Sequence, residues 1–454
     1  MRASWDRGAW MLLACYPVAM VLLFRPAIHG VDAVGYFSWL RTIVIDRDLN
    51  VADEFEHFAT AEPRTAAFAQ QVHRSIVTPT GYQHNQYALG AAVLWLPIYV
   101  VAHAAVSTAA AVNIDVHADG YGRPYQFAAA LASSLYGLAA MLLTYRLARR
   151  WFTPFVATWS TFGVWFASPL VFYGFSHPLM SHATDAFVFA LILTAWCADG
   201  GRPTMRAGLL LGIAIGLATW VRTQNAAFVL APLLVAATDV ATAAPDHRAD
   251  TTRRVVEWTL AILLGFALLF APLAVFWRVV FGHWIVNTYA ATHTSSIFDW
   301  RAPHMLEVLL SSNRGMFVWS PITALALAGL WWLRTFDRRL ALFLAIVFVE
   351  QLYIIGSLHF WHGSAAFGPR YWTNLTPLFV LGFAALLTRL GRVPRWAPVT
   401  AVAMLVTWNL LLIIQYALQT VPRGGPVDVA AMAKNQFLVV PAHAARVFKA
   451  LIER

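Results

Sequence analysis

Apolar stretches of about 15 to 27 residues alternate along the chain with short polar loops, and many of those stretches hold no charge. As α-helices they cover a hydrocarbon core of roughly 30 Å, whereas a closed β-barrel would show short alternating segments. The pattern predicts spans near 10–26, 124–146, 154–173, 181–198, 207–221, 223–238, 255–281, 316–333, 341–357, 371–389 and 396–418, with a further apolar segment at 86–106. The fold class that follows is an all-α polytopic membrane protein.

The arginines set the topology. They crowd short loops at Arg146 to Arg150, Arg202 to Arg206, Arg248 to Arg254, Arg334 to Arg339 and Arg389 to Arg395, and cytoplasmic loops are the ones that carry such an excess. If these loops and the Arg2 and Arg7 end all lie inside, alternation closes only when 86–106 does not cross. The expectation is therefore about 11 transmembrane helices with the N-terminus inside, and 86–106 at or dipping into the outer interface. Residues 1–420 then form a transmembrane domain whose long first outer loop, 27–123, holds interfacial helices, and 421–454 form a short outer tail. Segments 207–221 and 223–238, parted only by Arg222, read as a shallow hairpin with a recessed turn. Gly208, Gly212 and Gly216 mark close helix packing.

Composition agrees with this reading and narrows it. With 59% apolar and 12% charged residues the chain is not a soluble globular protein. The net charge of +10 is spent on topology and gives no case for nucleic acid. Cys15 and Cys197 fall inside predicted spans, so neither a disulfide framework nor a zinc site is indicated. The first apolar stretch lacks a convincing small-residue cleavage site and reads as an anchor. Without a P-loop, a GxGxxG after a strand or an HExxH, nucleotide cofactors and zinc hydrolysis have no support.

Against this apolar background a few polar residues stand out on the outer side. Asp32 follows the first span at once, with Tyr36 and Trp39 behind it, and a carboxylate there suits a general base on an acceptor hydroxyl or amine. Arg222 needs an anionic partner: either a phosphate bound bidentately, or a structural partner such as Asp32 or a backbone carbonyl. Arg314, in Ser311-Ser312-Asn313-Arg314-Gly315, carries the same ambiguity. The loop from Leu358 to Trp372 places Arg370 at phosphate depth, with His362 beside it, although an aromatic belt with an anchoring arginine would look the same. His359 and His362 lack an obvious third metal ligand. His182 and Asp185 form either a polar pair in a cavity or a helix cap, and His84 and Gln86 are placed to hydrogen-bond sugar hydroxyls.

Together these segments resemble the GT-C superfamily of membrane glycosyltransferases, which includes protein O-mannosyltransferases and bacterial aminoarabinose transferases to lipid A. The resemblance is carried, in order, by Asp32 to Leu49, by Gln86-Tyr87-Ala88-Leu89-Gly90, by Met180-Ser181-His182, by Arg222-Thr223-Gln224-Asn225 and by Trp361-His362-Gly363 through Phe367-Gly368-Pro369-Arg370-Tyr371. It implies a polyprenyl-phosphate sugar as donor and a glycan, lipid or protein as acceptor, on the outer face of the plasma (inner) membrane. It further implies that Asp32 deprotonates the acceptor, or coordinates a divalent metal as in some relatives. Arg222 and Arg370 would face the donor phosphate, with Arg314 as a further candidate, and Tyr36, His84, Gln86, His182 and His362 would line the substrate. No resident cofactor is called for. His182 stands where aminoarabinose transferases carry a second acid, and Gln83-His84-Asn85 replaces their Glu-Lys-Pro. The rival classes are a transporter or flippase of a lipid-linked substrate and a non-catalytic subunit of an envelope complex.

Overall fold

A computed structural model describes residues 5–61, 76–290 and 297–452. Its regular structure is helical, and extended pairing among the described residues is limited to the isolated bridges Val77 with Gln83 and Phe298 with Leu358. In chain order the helices are α1 (Arg7–Leu23), α2 (Gly30–Arg41), α3 (Ala52–Ala61), α4 (Gly90–Ala111), α5 (Arg123–Ala148), α6 (Pro154–Phe166), α7 (His182–Trp196), α8 (Met205–Val221), α9 (Leu230–Ala241), α10 (Arg248–Phe281), α11 (Met305–Leu310), α12 (Met316–Trp319), α13 (Ile322–Leu333), α14 (Arg338–Ser357), α15 (Thr376–Arg389), α16 (Trp396–Ala417), α17 (Val429–Phe437) and α18 (Val439–Ile452).

Among the described residues seven helical segments are long and apolar enough to cross a membrane: α4, α5, Thr223–Ala241, α10, α14, Arg370–Arg389 and α16. Shorter apolar helices are α1, α7, α8 and α13. Each of the spans read from the sequence coincides with a helix. The informative difference is α4, expected at the interface, whose 22 residues extend for about 33 Å and are enough to cross by length. Helix α4 packs against α2 and also against α7 and α8: Trp95 donates to Thr184 Oγ1 at 2.9 Å, and a Cβ on Gly90 would overlap the Trp220 carbonyl. Asn85, just before it, donates to the Gly35 carbonyl at 2.9 Å, the rings of Phe37 and Tyr99 lie 5.8 Å apart, and beyond its end Arg41 donates to the Asp119 carbonyl at 3.0 Å.

The chain divides into two compact units, each assembled from separated segments. The first comprises Cys15–Leu143 and Tyr173–Ile297. Every residue of α2 from Ala33 to Leu40 is buried in it, within an aromatic cluster that includes Trp39, Trp95, Tyr99 and Phe276. Helix α8 lies against α10 through glycines: a Cβ on Gly212 would overlap the Ile262 carbonyl, and one on Gly265 the Leu209 carbonyl. That is the close approach the glycine spacing predicts.

The second unit comprises Met1–Ala14, Thr144–Phe172 and Phe298–Arg454. Helices α13 and α15 cross where Gly329 meets the backbone of Gly382. Asn409 of α16 donates to the carbonyls of Phe166 and Ser168, both at 2.9 Å, and so satisfies backbone acceptors where α6 ends.

Candidate active site

Asp32 lies in the first turn of α2, which starts at Gly30 with φ at +77°. Glycine adopts that left-handed turn without steric cost, and the helix N-terminus favours a carboxylate. Tyr87 donates to Asp32 Oδ1 at 2.9 Å. The Tyr87 backbone is itself pinned, since its carbonyl accepts from Trp39 Nε1 at 2.9 Å and its N–H donates to Asn85 Oδ1 at 3.0 Å. Gln86 lies against the Tyr87 hydroxyl.

A second group of contacts converges from α7 and from the break between α8 and α9. Helix α8 stops at Val221, Arg222 is extended, and a 3-10 turn runs from Thr223 to Val229. The helix breaks at Arg222, where the sequence predicts a turn, and Asn225 fills the break by donating to the Ala218 carbonyl at 3.0 Å and to Asp185 Oδ1 at 2.7 Å. Arg222 Nε lies 3.2 Å from Asp185 Oδ2 and donates to Ser181 Oγ at 3.1 Å. Its Nη2 is 2.9 Å from His182 Nδ1. A guanidinium only donates, so the imidazole is the acceptor in this contact. Tyr173 packs on the same imidazole at 4.2 Å between centroids.

Tyr36 joins the two groups. Its hydroxyl accepts from Ser181 Oγ at 3.0 Å, and its ring lies 5.3 Å from that of Tyr87. Asp32, Tyr36, His182 and Arg222 are thereby brought together in one unit. The anionic partner of Arg222 within the protein is Asp185, not Asp32 or a carbonyl, and Asp185 pairs with Arg222 and Asn225 in place of His182. A charge pair this deep must be well hydrogen-bonded to offset its desolvation, and Asn225 supplies the additional bond.

The remaining candidates are placed differently. His84 is buried, its ring 5.6 Å from Phe281, and burial pushes its pKa down. Arg314, Arg370 and His362 belong to the second unit. Arg314 is only 2% exposed and sits at φ +65°, a costly conformation for a residue other than glycine. Its guanidinium donates to the carbonyls of Ala366 at 2.8 Å, Gly425 at 2.9 Å and Pro422 at 3.2 Å, and to Asn313 Oδ1 at 2.8 Å. That makes it a clamp between loops, which corrects the expectation of a phosphate contact: its fork is occupied by carbonyls. His362 Nδ1 accepts from the Ser364 N–H at 3.1 Å, and burial, with the charge of Arg314, lowers its pKa. Arg370 is half-buried, with its guanidinium 5.4 Å from the Tyr371 ring.

Tyr87, Ser181 and Asn225, which the sequence offered only inside longer motifs, complete the site together with Asp185, which it offered as a polar pair with His182 or a helix cap. Asp185 and Asn225 carry the clearer signal, a carboxylate and an amide inside apolar spans. Among the described residues no three His, Cys, Asp or Glu side chains gather as a metal site.

No family model matches the sequence, and no curated protein matches it either. Among solved structures the chain is similar to the archaeal oligosaccharyltransferase AglB from Archaeoglobus fulgidus, in complex with an inhibitory peptide and a dolichol-phosphate, at 13% identity with a TM-score of 0.47. The match covers 96% of this chain and 54% of that one, so the chain spans about half the length of that protein.

Proposed function

We propose that this multi-pass membrane protein is a glycosyltransferase that moves a sugar from a polyprenyl-phosphate donor to an envelope acceptor on the outer face of the membrane. The observation that carries the reading is the run of contacts from the Asp185–Arg222 ion pair through the hydrogen bonds of Arg222 to Ser181 and of Ser181 to Tyr36, with Asp32 and Tyr87 beside it. It sets a carboxylate near a held guanidinium, among apolar helices that suit a lipid-linked substrate. Arg222 is already neutralised by Asp185, yet Nη1 engages no described residue and keeps its donors for a phosphoryl oxygen.

The reaction is a direct displacement. The acceptor oxygen forms a bond to the anomeric carbon as the bond from that carbon to the phosphate oxygen breaks, and the electron pair leaves on the phosphate. Asp32 takes the acceptor proton, and Arg222 stabilises the charge growing on the leaving group. One carboxylate suffices, and the configuration at the sugar inverts.

With purified protein and a panel of polyprenyl-phosphate sugars, Asp32→Asn is expected to lower transfer by about 10²- to 10⁴-fold, the range for loss of a general base, at unchanged unfolding temperature. Full activity in that variant would end the proposal.

A further inference from the structure

At Tyr36 the hydrogen bonding of this site ends on a donor that no described residue receives. Because Arg222 can only donate, Ser181 Oγ must accept at 3.1 Å, and the single hydrogen of Ser181 is then the one aimed at Tyr36 Oη, 3.0 Å away. Tyr36 therefore accepts from Ser181 and turns its own hydrogen elsewhere. No described residue accepts it, although Tyr36 is 6% exposed. Loose packing does not explain this, since the ring is held against Tyr87 at 5.3 Å and Trp95 at 6.4 Å. Buried polar groups are nearly always paired, so an oriented, unreceived O–H beside Asp32 marks where an outside oxygen belongs.

The neighbouring groups specify the kind of oxygen. Arg222 Nη1 also has donors to spare, and Arg222 and Tyr36 both lie within hydrogen-bond distance of the one Ser181 oxygen. Of the acceptors on this side, Asp185 Oδ1 receives Asn225, Asp185 Oδ2 is held in the ion pair with Arg222 at 3.2 Å, and His182 Nδ1 faces Arg222 Nη2. A sugar hydroxyl would bring a hydrogen needing an acceptor of its own. An ionised phosphoryl group brings only acceptors.

We propose that the Tyr36 hydroxyl donates to a phosphoryl oxygen of the lipid-linked donor, and that Ser181 is the positioning residue that turns it there. The inference rests on the sugar-transfer reading and names two residues of its donor site. It makes discrimination between a lipid phosphate and the corresponding lipid alcohol a property of the Arg222–Ser181–Tyr36 relay.

The test is direct binding to the purified full chain in detergent, with C55 polyprenyl phosphate and C55 polyprenol as probes and unfolding temperature measured in parallel. The wild-type protein should prefer the phosphate, and Tyr36→Phe, which keeps the packed ring, should lose about tenfold or more of that preference at unchanged affinity for the alcohol. Ser181→Ala should lose a smaller part of the preference, and Ser181→Thr, which restores a hydroxyl, should regain it. A Tyr36→Phe protein with wild-type preference overturns the inference and leaves the sugar-transfer reading to the Asp32→Asn assay. A wild-type protein that does not distinguish phosphate from alcohol overturns both.

Discussion

At the scale of single residues, the site separates charges that a sequence exposes from hydroxyls that it does not. Asp32 is legible because a carboxylate at a membrane edge has few bland explanations. Ser181 and Tyr87 are not, since serine and tyrosine are ordinary at membrane interfaces and only their partners make them informative. Arg222 was legible as a charge in need of a partner, but the choice of Asp185 depends on the break after α8 turning the guanidinium toward α7. With Asp185 fully buried and the Arg222 side chain 12% exposed, removing one partner strands the other charge. Asp185→Asn is expected to cost about 3–5 kcal/mol, seen as a lower unfolding temperature in detergent. Adding Arg222→Gln to that variant should recover part of the loss, because the stranded cation is gone. If the two losses simply add, the pair is not coupled as described.

At the scale of elements, the glycine stripe of α8 was readable, whereas its partner α10 was not, because Gly265 is a lone glycine in a long apolar run. Helix α2 was read as interfacial, yet it is enclosed from Ala33 to Leu40, and a helix that is apolar nearly all round gives no face from which to infer that. Its far end is tied to α3 by the hydrogen bond from Arg41 to Glu54. Glu54 is wholly enclosed and lies 2.9 Å from Arg41, which also pairs with Asp46 and sits 4.2 Å over the Tyr121 ring. Burial pushes the Glu54 carboxyl up to about 8, against the pull of the Arg41 hydrogen bond. Between its ordinary 4.5 and about 8, the folded chain keeps a proton that the unfolded chain has lost, so stability falls as pH rises through that window and is unaffected by Glu54 below it. The unfolding temperature of the wild-type protein should therefore drop more from pH 5 to pH 8 than that of Glu54→Gln, where the group cannot ionise. Equal slopes would mean that Glu54 enters the folded state already charged.

At the scale of the whole molecule, helical class and the positions of the spans were open to reading because apolar windows need no tertiary information. The division into two units was not, since each is assembled from distant segments and no change of composition marks a boundary. The parity argument from the arginines remains the sharpest topological statement, and it turns on α4. Two observations bear on it. Tyr99 of α4 donates to the Gly120 carbonyl at 2.8 Å, and Tyr121 stacks on His57 of α3 at 3.6 Å with 8° between the rings, so the loop after α4 is fastened to the loop that α2 and α3 form. From there α5 runs 26 residues, about 39 Å, to the arginines at Arg146, Arg149 and Arg150. Loop 112–122 and the first outer loop should thus face one side of the membrane, and the loop following α5 the other. In a background with Cys15 and Cys197 changed to serine, Arg47→Cys and Asp115→Cys should react with a membrane-impermeant thiol reagent from the same side, and Thr153→Cys only from the opposite one. Labelling of Thr153→Cys from the same side as Arg47→Cys, with Asp115→Cys reacting only from the opposite one, would make α4 a true crossing. The arginine-rich loops after it would then lie outside, and the charge rule would have failed at all of them at once.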